Sequence, residues 1–201
     1  MSTLPSGSES TRIQLLKQLG PPGPGRSAAG ASERVRGLIE QLELEQPADL
    51  VRDQALLRGV WELRWSSSSL PYLAVAPWLE NLQLLDPDRG LGMNLLRLSG
   101  PLGSLAGIAV QAAIGLEPAA AGASEPARPV QRVSVRFLRG GWLGPQFGSG
   151  RLKLLREVKQ GFPAWLDITV LDQQLRVCHG SAGTLFVLLR RPDLSLESLM
   201  G

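Results

Sequence analysis

The chain has 201 residues, of which 43% are hydrophobic and 19% charged, a length that suits one domain with its own core rather than a multi-domain assembly. A single cysteine excludes an internal disulfide, and one histidine beside one cysteine leaves a zinc site without its usual ligands, so we expect no metal and no cofactor. The net charge is only +3, but residues 128–159 hold eight basic side chains against one acidic, which makes this segment a candidate surface for anions.

The first part of the chain predicts helices on either side of a linker. STRIQLLKQL could form a loosely held helix, and LGPPGPGRSAAGA, at residues 19–31, has too much proline and glycine for a helix or a strand. SERVRGLIEQLELEQ then spaces its apolar residues at helical intervals, and PADLVRDQALLRG begins a second helix that ends at Gly59. We therefore expect a flexible N-terminal segment and linker over residues 1–31 and a helical hairpin over residues 32–58.

From Val60 onward the apolar period changes from 3.6 residues to two, which indicates strands. Turn signals such as DPDRG and GSG separate the runs, as in antiparallel sheets. The sequence predicts a mainly β fold, an antiparallel barrel of about eight to nine strands over residues 59–191, followed by a C-terminal tail at 192–201. The predicted strands lie at 60–66, 81–86, 92–99, 108–116, 131–139, 151–158, 165–172, 174–180 and 184–191.

The uncharged segment from Leu98 to Leu116 has to be considered as a membrane span. It contains Pro101, Gln111 and several glycines, so its transfer into a bilayer is weakly favourable and its helix propensity is poor. We predict two buried strands joined by a glycine-rich turn, and no transmembrane helix.

The first strand carries two tryptophans that alternation places on one face. Trp61, Leu63 and Trp65 point one way and are predicted to face the interior of the barrel. Trp61, directly after the Gly59 turn, is interpreted as a structural cap on the barrel floor, and Trp65 as the better candidate for touching a ligand.

Four further residues complete the predicted ligand-binding set. Phe137 alternates with two valines on the inner face of its strand, and Trp165 shares a face with Asp167. The default expectation for Asp167 is an ion pair with Arg176 or Arg190, and the alternative is a carboxylate that orients a ligand. The predicted ligand-binding residues are therefore Trp61, Trp65, Phe137, Trp165, Asp167 and Arg176.

The basic segment predicts a hairpin with a membrane-facing loop. If the strands QRVSVRFLR and RLKLLREV pair, four basic side chains stand on one outer face. The loop between them, residues 139–150, has five glycines and three large apolar side chains; Trp142 either meets a membrane interface or folds back as a plug across the barrel mouth. Nucleic acid is disfavoured, because the aromatic residues lie in a loop rather than along an exposed sheet face. The predicted anionic-membrane contacts are Arg132, Arg136, Arg139, Trp142, Leu143, Phe147, Arg151 and Lys153.

The residues that could support catalysis do not form a recognisable catalytic arrangement. Cys178 and His179 are adjacent in a strand, so their side chains point to opposite faces and cannot act as nucleophile and base together. GSAGT, at residues 180–184, lacks the spacing of a serine nucleophile turn and is interpreted as a hairpin turn. The prediction is a protein without enzymatic activity.

Three stretches together resemble the plastid lipid-associated proteins, or fibrillins, in the form found in photosynthetic prokaryotes. They are LIEQLELEQPADLVRDQALLRGVWELRWSSS, RVSVRFLRGGWLGP and WLDITVLDQQLRVCHGSAGTLFVLLR, and the resemblance covers about residues 33–191. It implies a lipocalin-like barrel, peripheral on the cytoplasmic side of thylakoid membranes or on lipid bodies, that binds or organises carotenoids, quinones or acyl lipids. The alternative is a structural coat or assembly partner with a filled core. His179 stands where the family motif is expected to have arginine.

Overall fold

A computed structural model describes residues 7–23, 33–68, 76–100, 103, 105–117, 131–147 and 150–200, without the side chains of Ser8, Gln146 and Phe147. Most of the predicted linker therefore lies outside the described residues. The helices are α1 (Gly7–Leu19), α2 (Glu33–Glu45), α3 (Leu50–Asp53) with a 3-10 turn at Gln54–Leu57, and α4 (Leu196–Met200).

Nine strands in the described part form one antiparallel sheet that closes into a ring, which confirms the predicted barrel. The order around the sheet is β4-β3-β2-β1-β9-β8-β7-β5-β6, and pairing of β4 with β5 closes it. The strands are β1 (Gly59–Ser66), β2 (Leu79–Asp86), β3 (Leu91–Leu98), β4 (Gly107–Leu116), β5 (Arg132–Phe147), β6 (Gly150–Glu157), β7 (Ala164–Leu171), β8 (Leu175–Gly180) and β9 (Leu185–Arg190).

Strand β5 is longer than predicted, and different parts of it pair with β6 and with β7. Its first residues, Arg132–Val135, pair with β7 and complete the ring, whereas Arg139–Phe147 pairs with β6 beyond that junction. The prediction of a loop at 139–150 is therefore wrong for most of its length, because backbone pairing to β4 and β6 extends the strand through its glycines. The predicted hairpin of QRVSVRFLR with RLKLLREV is not formed as expected, because β6 pairs with Arg139–Phe147 and the predicted strand meets it only at Arg139.

A register shift in β1 reverses the predicted direction of one tryptophan. Trp61 and Leu63 face the interior, but the pairing with β9 slips between Leu63 and Trp65. The extra residue at this β-bulge moves Trp65 to the outer face, where it packs with α1 and α2 residues such as Leu19 and Ile39. The prediction that Trp65 faces the interior is wrong for this reason.

Helices α1 and α2 cover the outer face of strands β7 to β9. Leu15 and Leu19 of α1 are buried in one cluster with Val177 and Val187 of the sheet. Arg12 also forms an ion pair with Asp172, with 2.6 Å between Nε and Oδ2. Helix α1 is thus packed on the barrel and not loosely held.

The short helix α4 packs on the outer face at the other side of β1. Leu196 and Leu199 join a buried cluster with Val60, Leu82 and Leu84. The segment predicted as a tail therefore contributes to the core. Among the described residues, no helix has both the length and the apolar character needed to cross a bilayer.

Candidate functional site: a cavity inside the barrel

The interior of the barrel contains a cavity of about 300 Å³, which we call the lumen cavity. Its wall is mainly apolar, and three amide side chains from β2 and β3 interrupt it. Among its lining residues are Leu63, Leu85, Ile114, Val135, Phe137 and Phe186, with the amides of Asn81, Gln83 and Asn94. None of the described lining residues is acidic. An apolar pocket with a few polar groups is the usual form of a small-molecule site.

Phe137 lies where the sequence predicts, in the wall of the lumen cavity. The amides were missed, although a signal for them was present. Asn81, Gln83 and Leu85 are spaced two residues apart in NLQLLD, so they lie on the same face of the strand. Because Leu85 faces inward, both amides face inward as well.

The floor of the barrel is built around Trp61, which is fully buried. Its indole Nε1 donates a hydrogen bond to the backbone oxygen of Leu57 at 2.9 Å. Two guanidinium groups approach the ring, with centroid distances of 4.4 Å for Arg190 and 5.1 Å for Arg176. Trp61 thus joins the 3-10 turn to the interior of the barrel.

Arg176 is also inside the barrel, next to this floor, and has no exposed surface. The Nη2 atom donates a hydrogen bond to Oε1 of Gln83, which lines the lumen cavity. The Nε and Nη1 atoms have no hydrogen-bond partner among the described residues. Burial lowers the pKa of Arg176 to about 10, with a further lowering from Arg190, so the side chain remains a cation at neutral pH.

Other buried arginines of the chain are paired with carboxylates, as a network on the outer face of β1 and β2 illustrates. Arg191 Nη1 lies 2.8 Å from Glu62 Oε2 and 2.7 Å from Glu80 Oε1. Arg64 and Arg97 pair with the same two glutamates, at 3.1 and 2.7 Å. Burial lowers the pKa of Arg191, but its hydrogen bonds to Asp193, Glu80 and Glu62 outweigh burial and raise the pKa above its ordinary value.

Asp167 pairs with neither Arg176 nor Arg190. It lies opposite Arg132 across the β5–β7 junction and receives two hydrogen bonds of 2.7 Å from that guanidinium. The same guanidinium carbon stands 3.9 Å from the ring centroid of Trp165. The expected pairing failed because Asp167 faces outward in β7, whereas Arg176 and Arg190 face inward in β8 and β9.

The predicted basic face is divided in the structure. Arg132 is held by Asp167, and only Arg136 and Arg139 of the β5 set are exposed without a described ion pair. Leu143 is buried in the cluster under α4, which corrects its assignment as a membrane contact. Arg151 is half-buried, donates to the backbone oxygen of Gly144 and has its pKa lowered by burial. Lys153 reaches the backbone oxygen of Met200, and the side chain of Phe147 lies outside the described residues.

An exposed apolar row, which we call the apolar rim, lies instead on the other face of β4, β5 and β6. The strand register aligns Ile108 with Trp142 and Trp142 with Leu154, and Leu152 lies two residues along on the same face. Ile108 is 60% exposed and Leu154 65% exposed. The predicted alternation is right in β5, where Val135 and Phe137 face the lumen cavity. In β6, Leu152 and Leu154 are exposed, because this strand lies beyond the closed ring.

The cysteine and the histidine lie on opposite sides of β8, as alternation predicts. Cys178 is buried in the interior cluster, and burial raises the pKa of its thiol. His179 faces α2, where its Nε2 lies 2.7 Å from Oε1 of Glu43. Glu43 also accepts a hydrogen bond from Thr169, so these contacts attach α2 to the sheet. In the described ranges, no group of three His, Cys, Asp or Glu side chains is placed to hold a metal ion.

A larger groove of about 930 Å³ lies outside the barrel, between the end of α1, the 3-10 turn and the β8–β9 edge. The side chains of Lys17, Gln173 and Gln174 in its wall are exposed, and the half-buried Arg190 in the same wall already donates to three backbone oxygens. The groove therefore offers a ligand no free desolvated polar anchor. The lumen cavity, where the half-buried Gln83 contacts the fully buried Arg176, is therefore the stronger candidate site.

The fold and the cavity define a small closed antiparallel barrel with a mainly apolar interior. Comparison of the chain with family models, with curated proteins and with solved structures gave no match. The function is therefore argued from the geometry of the lumen cavity and of the surface around it.

Proposed function

We propose that this protein is a non-enzymatic binder of a small hydrophobic molecule, which it holds in the lumen cavity. The observation that carries the proposal is an interior volume of about 300 Å³ that the barrel leaves unfilled and lines with apolar side chains. Ligand pockets begin at about this size. The alternative of a coat protein with a filled core is less well supported, because such a core would be packed without voids of this volume.

The resemblance to plastid lipid-associated proteins supplies the setting of the proposal: a thylakoid or lipid-body membrane, with acyl lipids, quinones or carotenoids as candidates. The size of the lumen cavity favours an acyl chain or a quinone head over a whole carotenoid. One water molecule takes up ~30 Å³ of liquid, so the volume of the cavity equals that of only about ten water molecules.

A matched pair of substitutions on β4 tests the cavity. Ala112 lines the lumen cavity and Ala113 faces outward, so Ala112→Leu fills the cavity while Ala113→Leu adds the same atoms outside it. Organic extracts of the natively purified proteins are analysed by mass spectrometry. We expect a ligand near one per chain with the wild type and with Ala113→Leu, and at least a tenfold reduction with Ala112→Leu.

Two results would contradict the cavity proposal. One is a wild-type protein that carries no ligand and shows no quenching of tryptophan fluorescence by added quinones or fatty acids. The other is destabilisation of Ala112→Leu by the ~1–3 kcal/mol typical of overpacking, which would mean that the interior was already full.

We also propose that the apolar rim rests on an anionic membrane surface, so that ligands enter from the lipid phase. The exposed Ile108 and Leu154 form one row with the half-buried Trp142 between them, and the exposed Arg156 continues it on the same face of β6. Apolar side chains beside a cation suit the boundary between acyl chains and anionic headgroups.

Cosedimentation with vesicles tests this surface. The double substitution Ile108→Ser and Leu154→Ser should reduce binding to vesicles that contain anionic lipid. Leu44→Ser, at an 85% exposed position on α2, is the matched control and should bind as the wild type does. Equal binding of the double variant and the wild type would exclude the apolar rim as the contact.

A further inference from the structure

The interior of the barrel contains a cation for which the described residues supply no counter-ion. Arg176 is fully buried, its contact with a polar partner is the single hydrogen bond to Gln83, and its Nε and Nη1 are unpaired among the described residues. No described acidic side chain forms an ion pair with it, and none lines the lumen cavity. The neighbouring charged group, Arg190, has the same sign.

Burial of a guanidinium in this state is costly. Taking an ion out of water is penalised by several kcal/mol unless a counter-charge and hydrogen bonds replace the solvent. The same chain meets that requirement for Arg191, which has Glu62, Glu80 and Asp193 around it. The lack of such a partner at Arg176 is therefore specific to the lumen, where an external anion can supply one.

We propose that Arg176 is the anchor for the carboxylate of an amphipathic acid whose apolar body occupies the lumen cavity. Gln83 is the connection between the two, because its side chain lines the cavity and its Oε1 accepts a hydrogen bond from Arg176. The amide oxygen of Gln83 occupies the position that a carboxylate oxygen of the ligand would take beside Arg176. A change of the Gln83 rotamer then exposes the guanidinium to the cavity.

The chemistry of the site selects a carboxylate. A guanidinium offers planar, parallel N–H donors that match the two oxygens of a carboxylate, and such charge-assisted pairs are about twice as strong as neutral hydrogen bonds. The volume of about 300 Å³ sets the size of the enclosed part, so a medium-chain monocarboxylic acid fits the cavity. This inference rests on the proposed function, since it names the class of ligand for the same cavity.

Three probes of one chain length separate charge from hydrophobicity: decanoate, decanol and decylamine. Each is titrated by calorimetry into the full chain after removal of bound lipid, at pH 8 and below the critical micelle concentration. We expect decanoate to bind about tenfold to a hundredfold more tightly than decanol, the range of a hydrogen bond to a charged group, and decylamine to bind more weakly than both.

Substitution of Arg176 assigns this preference to one side chain. Arg176→Met keeps an unbranched side chain in place of the cation, so decanoate should lose its advantage while decanol still binds. Arg52→Met, which removes an exposed guanidinium from α3, is the matched control and should keep the wild-type preference. Arg176→Lys provides a second test if the methionine variant does not fold, since it retains the charge and should retain part of the preference.

The outcomes separate the two proposals. If decanoate and decanol bind equally to the wild type, the anchor is wrong while the lumen cavity remains a binding site. If the preference for decanoate persists in Arg176→Met, the anchor lies elsewhere and the inference is overturned. If neither probe binds, the proposed function itself fails.

Discussion

The guanidinium of Arg190 lies over the indole of Trp61, with 4.4 Å between the guanidinium carbon and the ring centroid. The same guanidinium donates hydrogen bonds to three backbone oxygens: Nε to Gln173, Nη1 to Arg58 and Nη2 to Leu56. One side chain of the last strand therefore fixes the chain segment that enters the first strand, and closes the floor of the barrel.

Arg190→Met should destabilise the protein by about 2–4 kcal/mol, because three carbonyl groups lose a charged donor and Trp61 loses a cation over its ring. Urea unfolding monitored by tryptophan fluorescence measures the change. Arg136→Met, at an exposed position, is the control and should change the free energy of unfolding by less than about 0.5 kcal/mol. A loss below about 1 kcal/mol for Arg190→Met would show that the floor is held by other contacts.

Gly59 allows Arg190 to approach this entry segment. The φ angle of Gly59 is +142°, and a Cβ atom there would lie 2.5 Å from Nη1 of Arg190. We expect Gly59→Ala to lower the free energy of unfolding by about 1–3 kcal/mol. Gly37→Ala, in an open position on α2, should instead raise it by about 0.5–1 kcal/mol. Thermal denaturation of both variants checks the opposite signs, and equal shifts would contradict this account of Gly59.

Arg191 is the centre of the buried ion network on the outer face. Arg191→Met should cost about 3–5 kcal/mol, because it leaves Glu62 and Glu80 buried with one cation fewer. Asp193→Asn provides the comparison, since the Asp193 side chain is 58% exposed and its loss should cost less than about 1 kcal/mol. Urea unfolding at neutral pH measures both. Similar costs for the two variants would contradict the central position of Arg191.

The attachment of α1 should depend on acid pH through Asp172. Burial opposes ionisation of this carboxyl, but hydrogen bonds from Arg12 and from the backbone amides of Gln174 and Leu175 outweigh it, so the pKa of Asp172 is lowered from its ordinary value of 3.8. The stabilisation is therefore fully present above the unfolded-state pKa of 3.8 and is lost as the pH falls through the lower folded-state pKa.

Asp172→Asn removes the charge at every pH and isolates this contribution. We expect the variant to be less stable than the wild type by about 1–2 kcal/mol at pH 6, and the difference to shrink progressively below about pH 4. Urea unfolding at a series of pH values measures it. A difference that stays constant down to about pH 2 would mean that the carboxylate charge does not hold α1.

Local patterns in the sequence determined the strand inventory. The two-residue period, broken by turn signals such as DPDRG, located the nine strands of the described part of the chain, and helical spacing located α2. Alternation also predicted correctly that Cys178 and His179 lie on opposite faces, because a regular strand fixes the relation between adjacent side chains.

The tertiary structure decided what these patterns could not, because register and pairing are set between strands. A bulge beside Leu63 moved Trp65 to the outer face. Pairing of β5 with β4 and β6 made a strand of the glycine-rich residues 139–147. Arg176 is included in the predicted ligand-binding set, but the sequence did not show that the described residues would give it no carboxylate partner. Asp167 faces the opposite side of the sheet. Spacing along the chain gives the direction of a side chain; which charges meet inside depends on the order of the strands around the barrel.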